Sequence, residues 1–539
     1  MTTHNKRYSQ LLFFLCIISS TCFPKTDSLW QRTKKWISNP FSYIKTHEKV
    51  VLDNPYASII AQVRVGNDLH PKEGEFLLNR RSKIIPSLEK ILKRSLKDKY
   101  VPNISVICSG GGYRAMLGSI GALCGLEQIG LLDVITYVSA LSGSTWAVGL
   151  WISTGMTLKQ LKTYIAKQLT VDFYKIRRPD SRKIAHMLLV KTAFQQPFST
   201  VDLFGAFLAR HLLKDFFGDA CQMVHMSDQM KTIQDGTFPF PIYSAVDGRI
   251  NIRGSIPWYE FTPIEIGSAQ YGYYVPTWAY GRRFKDGLSV DYAPEQSLGF
   301  HFGVFGSAYG GHFKSVWNRV LKDLVSSQAK AIIEENIMQS RVAHTRFAWA
   351  RVHNFMRDMD THDTLKKNKI LKLVDAGIEC NLPYVPLSGE REERKQDVLI
   401  IFDFSQKIPA ALKEAENYAR MKNLKFPVID YTDIEKRTIS IFKDEENPEI
   451  PVVIYMPRIS DYQLWKEKKR ESRYKKYHTI ECFNFNYCIQ FGACYTTNFR
   501  YSHAESQQVM DQMEFNVVAN QDKIVEAIKW VVEGKRAIA

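Results

Sequence analysis

The stretch 134–151 constrains the fold of this chain more than any other. Val134-Ile135-Thr136-Tyr137-Val138-Ser139 is apolar and β-branched and reads as a buried strand. Thr145-Trp146-Ala147-Val148-Gly149-Leu150-Trp151 reads as the opening turns of a buried helix. Between them stands Ala140-Leu141-Ser142-Gly143-Ser144. A serine held by small neighbours between a strand end and a helix start has the form of a nucleophile elbow, a strained turn that carries the hydroxyl past the sheet edge. The N-terminus of the following helix would favour an alkoxide or a developing oxyanion there. Ala140 and Ser144 occupy the outer positions where G-x-S-x-G has glycine, and the same letters also describe an ordinary tight turn.

An earlier strand–loop–helix unit has a similar plan. Asn103-Ile104-Ser105-Val106-Ile107-Cys108 reads as a strand, Ser109-Gly110-Gly111-Gly112-Tyr113-Arg114 as a loop, and Ala115 to Ile129 as a helix. Successive glycines let backbone N–H groups converge on an anion, although they also suit a plain flexible turn. No Gly-Lys-Ser/Thr follows and the spacing is not G-x-G-x-x-G, which counts against a nucleotide loop. Gly118, Gly121 and Gly125 give the helix a small-residue face for close packing on the sheet. Far downstream, Ile370-Leu371-Lys372-Leu373-Val374 reads as a strand ending at Asp375-Ala376-Gly377. That is common turn chemistry, and also where a catalytic base is held on rigid scaffold. Val398–Phe404 and Val452–Met456 read as further buried strands, and Ile524–Val532 as a closing amphipathic helix.

At 539 residues, 45% of them hydrophobic, the chain has ample core material and exceeds one ordinary domain. With 72 Lys+Arg against 55 Asp+Glu, its net charge of +17 favours a polyanionic partner. No zinc-finger spacing, RNP-type aromatic motif or basic zipper accompanies the charge, so an anionic membrane surface is expected and nucleic acid is not. The dense basic run 466–476, just behind Trp465, is the foremost candidate for phosphate contact, although a solvated helix reads the same way. Nine cysteines without a C-x-x-C pair predict no structural metal and no essential disulfide.

Lys6 and Arg7, the apolar run 11–18 and Ser19-Ser20-Thr21-Cys22 have the grammar of a secretory leader over residues 1–22, too short to span a bilayer. A fortuitously apolar N-terminus is the alternative. The leader predicts a secreted or extracytoplasmic, membrane-associated protein; the other location is cytoplasmic, peripheral on membranes. Residues 23–74, with Trp30 and Trp36 among bases, read as a linker or interfacial segment. Residues 75–539 form the main domain. Within it, about 311–369 reads as a helical, lid-like insertion or an outer helical layer.

The glycine loop, the elbow and the Asp-x-Gly, in this order, resemble the catalytic domain of the cytosolic (group IV) phospholipase A2 family, within the patatin-like lipase group. The matching segments are Ser109–Met116, Leu141–Trp146 and Val374–Tyr384, with Trp258–Pro263, Gly306–Tyr309 and Phe402–Ser405 beside them. The resemblance implies an α/β, three-layer fold: a central mixed sheet, helices on both faces and a helical lid-like insertion. It implies a serine lipid acyl hydrolase, a phospholipase A2 and/or lysophospholipase, with Ser142 as nucleophile and Asp375 as base. By the same resemblance Gly111 and Gly112 form the oxyanion hole, Arg114 faces the substrate phosphate, and neither cofactor nor metal is needed. Ala140 departs from the family's usual glycine. Roughly 50 residues between leader and main domain are too few for a calcium-dependent lipid-binding module, so calcium is not expected to be required. His478 and His503 have the chain order for a Ser-Asp-His variant. A catalytically inactive, membrane-associated interaction protein is the reading from outside enzymology.

Overall fold

Apolar, β-branched runs at 104–108, 137–140, 398–403 and 452–457 are buried along their whole length, as strands covered on both faces must be. They form the centre of a mixed sheet. The computed structural model describes residues 54–173, 180, 184, 187, 190–191, 194–197, 199–249, 256–307, 349–360 and 363–538. The leader-like residues 1–22, the linker up to residue 53 and residues 311–348 of the expected insertion lie outside them. The chain divides into two compact units, each assembled from separate segments. One contains 65–172, 226–277 and 375–539, and the other contains the residues up to 64, 173–225 and 278–374.

In the first unit the strands are β1 (Ile104–Cys108), β2 (Tyr137–Ala140), β3 (Phe240–Asp247), β4 (Trp258–Phe261), β5 (Glu265–Ser268), β6 (Tyr273–Pro276), β7 (Val398–Asp403), β8 (Ser440–Phe442) and β9 (Val452–Pro457). Their order is β6-β5-β4-β3-β2-β1-β7-β9-β8. Neighbours from β3 to β9 run parallel, and the outer pairs are antiparallel. The carboxyl ends of β2, β1 and β7 therefore emerge side by side, the edge at which open α/β sheets bind ligands. The helices are α1 (Pro71–Leu92), α2 (Tyr113–Gln128), α3 (Gly143–Thr154), α4 (Leu158–Gln168), α5 (Ala410–Met421), α6 (His503–Ala519) and α7 (Gln521–Ile538).

The small-residue face of α2 packs mainly on another helix, not on the sheet as expected. A Cβ at Gly121 would stand 2.1 Å from Met510 O, and one at Gly125 would stand 2.6 Å from Val517 Cβ, both on α6. Gly118 alone faces a sheet-derived residue, with the Phe404 ring 2.5 Å from where its Cβ would lie. Helix α1 starts at Pro71, ahead of the expected Glu75, and this brings Glu73 into its first turn. Glu73 receives two 2.7 Å hydrogen bonds from Arg394 and one of 2.9 Å from Tyr137 Oη. Arg394 also reaches Glu260 at 2.5 Å, and Arg391 pairs with the same carboxylate. These fully paired buried charges tie α1 to β2, β4 and the segment entering β7.

In the second unit, the helix Thr200–Phe217 opens on a Ser199 capping box. It crosses the helix Leu298–Phe305 closely enough that a Cβ at Gly205 would lie 2.2 Å from Gly299 O. Residues 350–353, expected to be helical within the insertion, form a strand antiparallel to Ile370–Leu373. Strand pairing here overrides the local helical pattern. No helix among the described residues is long and apolar enough to cross a membrane.

Candidate active site

Strand β2 ends at the buried Ala140, and the chain turns through Ser142 at φ 51°, ψ −124°. A non-glycine residue at positive φ is strained and persists only where its surroundings over-determine it. Thr145 supplies part of that restraint: its N–H and hydroxyl both donate to Ser142 O, at 3.0 and 2.5 Å. Ser142 is 2% exposed and forms the N-cap of α3, and its Oγ has no hydrogen-bond partner among the described residues. A buried hydroxyl left unpaired at a helix N-terminus is a costly feature that a folding argument does not explain.

The outer residues of the elbow have structural reasons. A Cβ at Gly143 would fall 1.9 Å from Gly112 O, so glycine is required where the two loops touch. Ser144 Oγ donates to Ser109 O at 2.6 Å and accepts from Ser119 Oγ at 2.8 Å. The serine in place of glycine thus lashes the elbow to β1's end and to α2.

The loop 109–112 lies directly against this turn. Ser109 bonds the end of β7 twice, through its N–H to Phe402 O at 3.0 Å and through its Oγ, which accepts from Phe404 N at 2.6 Å. Gly111 (φ 151°) and Gly112 (φ 60°) adopt conformations that side chains resist. Their N–H groups donate to no acceptor among the described residues.

Asp375, 1% exposed, closes the strand Ile370–Asp375, and its Oδ1 accepts from Gly377 N at 2.9 Å. The same residues touch this turn and the glycine loop. Ideal Cβ positions at Gly110 and Gly377 both lie close to Leu141 Cδ2, at 2.7 and 3.5 Å, and to Asn381 Oδ1, at 2.6 and 3.0 Å. Asn381 Nδ2 donates to Gly110 O at 3.1 Å and Ser405 Oγ at 2.7 Å. Asn381 lies within the Val374–Tyr384 segment, where the sequence pattern gives it no task. Its signal was only its closeness in sequence to the aspartate.

Arg114 is placed differently from a free phosphate ligand. It is 1% exposed; Nε donates to Phe404 O at 2.8 Å, and Nη1 donates to Cys494 O and Thr496 Oγ1 at 2.5 and 3.2 Å. Nη2 lies 2.7 Å from the position of a Cβ on Gly111. The guanidinium therefore braces the glycine loop, the turn after β7 and a distant C-terminal loop. That last loop carries a disulfide that the cysteine spacing did not single out, since Cys488 and Cys494 are bonded, Cα to Cα 5.0 Å. The pair has no metal-type spacing and is joined only because the helix Phe485–Phe491 doubles back. A second buried guanidinium, Arg458, braces Ser405 O, Gln406 O and Asn486 Oδ1. Burial, and then the charge of Arg114, pull its pKa down to about 10.

The basic run is partly neutralised. Lys469 pairs with Glu481, Arg473 with Glu471 and Lys476 with Glu514. Lys466, Arg470 and Lys475 are exposed, and no ion pair forms at them among the described residues. Nearby in sequence, Tyr487 and Phe491 are 67% and 68% exposed, their rings 5.4 Å apart. His478 and His503 are exposed, in contrast to the buried Ser142 and Asp375.

A mixed sheet in which strand β2 runs through a strained serine turn into a helix, with a glycine loop and a buried aspartate beside it, defines the class: an α/β fold with its loops gathered at the carboxyl ends of parallel strands. The chain belongs to the family described as the lysophospholipase catalytic domain, whose model matches residues 104–434. It is similar to human cytosolic phospholipase A2 zeta, at 29% identity over 74% of this chain and 54% of that protein. It is also similar to human cytosolic phospholipase A2 epsilon, at 24% identity over 88% of this chain and 61% of that one. The chain thus spans little more than half the length of the curated relatives it matches. Its fold matches the structure of human GIVD cytosolic phospholipase A2 with a TM-score of 0.73 at 22% identity, covering 87% of this chain and 66% of that one.

Proposed function

We propose that the chain is a serine lipid acyl hydrolase that cleaves fatty-acyl esters of glycerophospholipids or lysophospholipids at a membrane surface. The observation that carries this reading is the unpaired Ser142 Oγ, buried on a strained turn at a helix N-terminus and touching the glycine loop. Ser142 Oγ attacks the acyl carbonyl carbon and its proton passes to Asp375. The N–H groups of Gly111 and Gly112 take the charge of the oxyanion, an interaction worth about 2.7–4 kcal/mol per donor by precedent. Collapse of the tetrahedral intermediate expels the glycerol-side oxygen, which recovers the proton from Asp375. Water then attacks the acyl-enzyme with Asp375 as base, releasing the fatty acid and restoring Ser142.

Arg114 serves this site first by holding Gly111 in place. Its contact with the substrate phosphate stays a proposal from the family resemblance, beside a guanidinium whose Nε and Nη1 serve protein acceptors. Docking is assigned to the surface carrying Lys466, Arg470, Lys475, Tyr487 and Phe491, where aromatics and cations suit an anionic lipid interface without calcium. The names of the relatives favour the cytoplasmic, peripheral location over the secreted one. The exposed positions of His478 and His503 favour a Ser-Asp dyad over a histidine triad.

The test is mass-spectrometric product analysis on vesicles of a mixed-chain phospholipid, with the Ser142→Ala protein in parallel. A solved structure of human GIVD cytosolic phospholipase A2 is in complex with Methyl gamma-Linolenyl Fluorophosphonate, which makes a fluorophosphonate the natural label. The expected result is ester release and labelling in the wild type, both lost in Ser142→Ala and both kept when His478 and His503 are replaced together. Full activity in Ser142→Ala overturns the reading.

A further inference from the structure

The segment that follows Asp375 has two faces. Asp375, Gly377 and Asn381 face the catalytic loops, as their contacts with Leu141 and Gly110 show. Glu379, Leu382 and Tyr384 line a separate cavity of about 300 Å³, closed on its other sides by Trp258 at the start of β4 and by α5. Such a volume accommodates a small ligand.

The lining chemistry is unusual for so basic a chain. Its charged residues are Glu379 and Glu414, and no lysine, arginine or histidine lines it. Trp258, Tyr384 and Tyr418 form an aromatic wall, with the two tyrosine rings edge to face at 6.4 Å. Two polar atoms of wall residues, Trp258 Nε1 and Tyr384 Oη, are buried without a hydrogen-bond partner among the described residues. The wall already accepts a cation elsewhere: Lys422 Nζ lies over the Tyr418 ring, 5.8 Å from its centroid, while pairing with Glu390. The negative field registers on Cys380, whose thiol is pushed up first by burial and then by the carboxylates of Glu414, Asp403 and Glu379.

Aromatic residues with nearby carboxylates bind ammonium groups. We propose that this cavity binds a small ammonium-bearing ligand. Its cation lies against the aromatic wall of Trp258, Tyr384 and Tyr418, and its charge is met by Glu379 and Glu414. The site is distinct from the ester-cleaving one and does not rest on that reading. It backs onto the turn that carries Asp375, so an occupant stiffens the base-bearing segment.

The test uses the full chain carrying Ser142→Ala, so that binding is read without turnover. Calorimetric titration with choline is expected to show saturable binding at one site, and the uncharged isostere 3,3-dimethylbutan-1-ol is expected not to bind. Glu414→Gln, on the half-buried outer side of α5, is expected to weaken choline at least about tenfold with an unchanged melting temperature. Met421→Arg, at the exposed mouth, is expected to abolish binding by supplying its own cation. Phosphatidylcholine vesicles separate the sources. If they compete with choline the occupant is a lipid headgroup, and if they do not it is a free ammonium compound; both support the site. Equal binding of choline and its isostere, full affinity in Glu414→Gln, or no binding of choline in either form overturns it.

Discussion

Strand β2 carries a buried polar region at each end, and the two are finished in opposite ways. At its start, Tyr137 joins Glu73, Arg394, Glu260 and Arg391, where each carboxylate meets guanidinium donors and the tyrosine hydroxyl is used as well. Just past its end, Ser142 Oγ and the N–H groups of Gly111 and Gly112 are held in position with no acceptor or donor to satisfy them. Side chains around the second region are lashed as firmly as those of the first, through Ser144, Asn381 and Arg114. The difference teaches how to separate the two roles. A buried polar group whose bonding capacity is spent within the protein serves stability, whereas one held rigidly and left unsatisfied is reserved for a substrate.

The contrast makes stability and activity separable by mutation. Ser142→Ala or Asp375→Asn is expected to lower ester release by about 10⁴-fold or more while leaving the melting temperature unchanged, measured by product formation and calorimetry. Arg394→Met should do the reverse. Stranding Glu73, with Glu260 left to Arg391 alone, is expected to cost about 3–5 kcal/mol in urea unfolding, with turnover per folded molecule close to wild type. Asn381→Ala tests the boundary between the two regions, since it loosens the glycine loop without touching the reacting atoms. A fall in kcat of about 10²-fold with a nearly unchanged KM is expected from small misplacement. Cys488→Ser, or mild reduction, should lower kcat only severalfold, because Arg114 keeps Phe404 O when the loop carrying Cys494 and Thr496 slackens.

The pH dependence sharpens the same division. Burial alone would raise the Glu73 pKa, but the charge and hydrogen bonds of Arg394, with Arg391 and Tyr137 in support, hold it below the ordinary value. Its folded pKa is therefore lower than its unfolded one. The stability it contributes is present above the usual glutamate range and is lost as pH falls below that range. Acid unfolding followed by circular dichroism should show this loss, and it should be smaller in Arg394→Met. A Glu73→Gln protein with unaltered acid sensitivity would remove the cluster from the account.

What was legible in the chain were features made by neighbours in sequence. The strand–turn–helix at 134–151, the glycine loop at 109–114 and the Asp375 turn each declare themselves within a few residues, because the period of apolar positions and the small residues at the turn are local constraints. The mixed sheet was implied by the family resemblance that these segments carry. The contacts that join distant segments were not legible. Ser144 looked like a departure until its partner Ser109 was beside it. By resemblance Arg114 faces the substrate phosphate, yet its Nε and Nη1 donate to carbonyls 290 and 380 residues away. The Cys488–Cys494 bond, the Glu73–Arg394 pairing and the bridging by Asn381 have no sequence period, since each depends on which loops the sheet order sets side by side. Local pattern was enough to place a serine on a turn between a buried strand and a buried helix. Only the folded arrangement decides which polar groups are spent on one another and which remain for a substrate, because satisfaction of a buried group depends on every segment that reaches it.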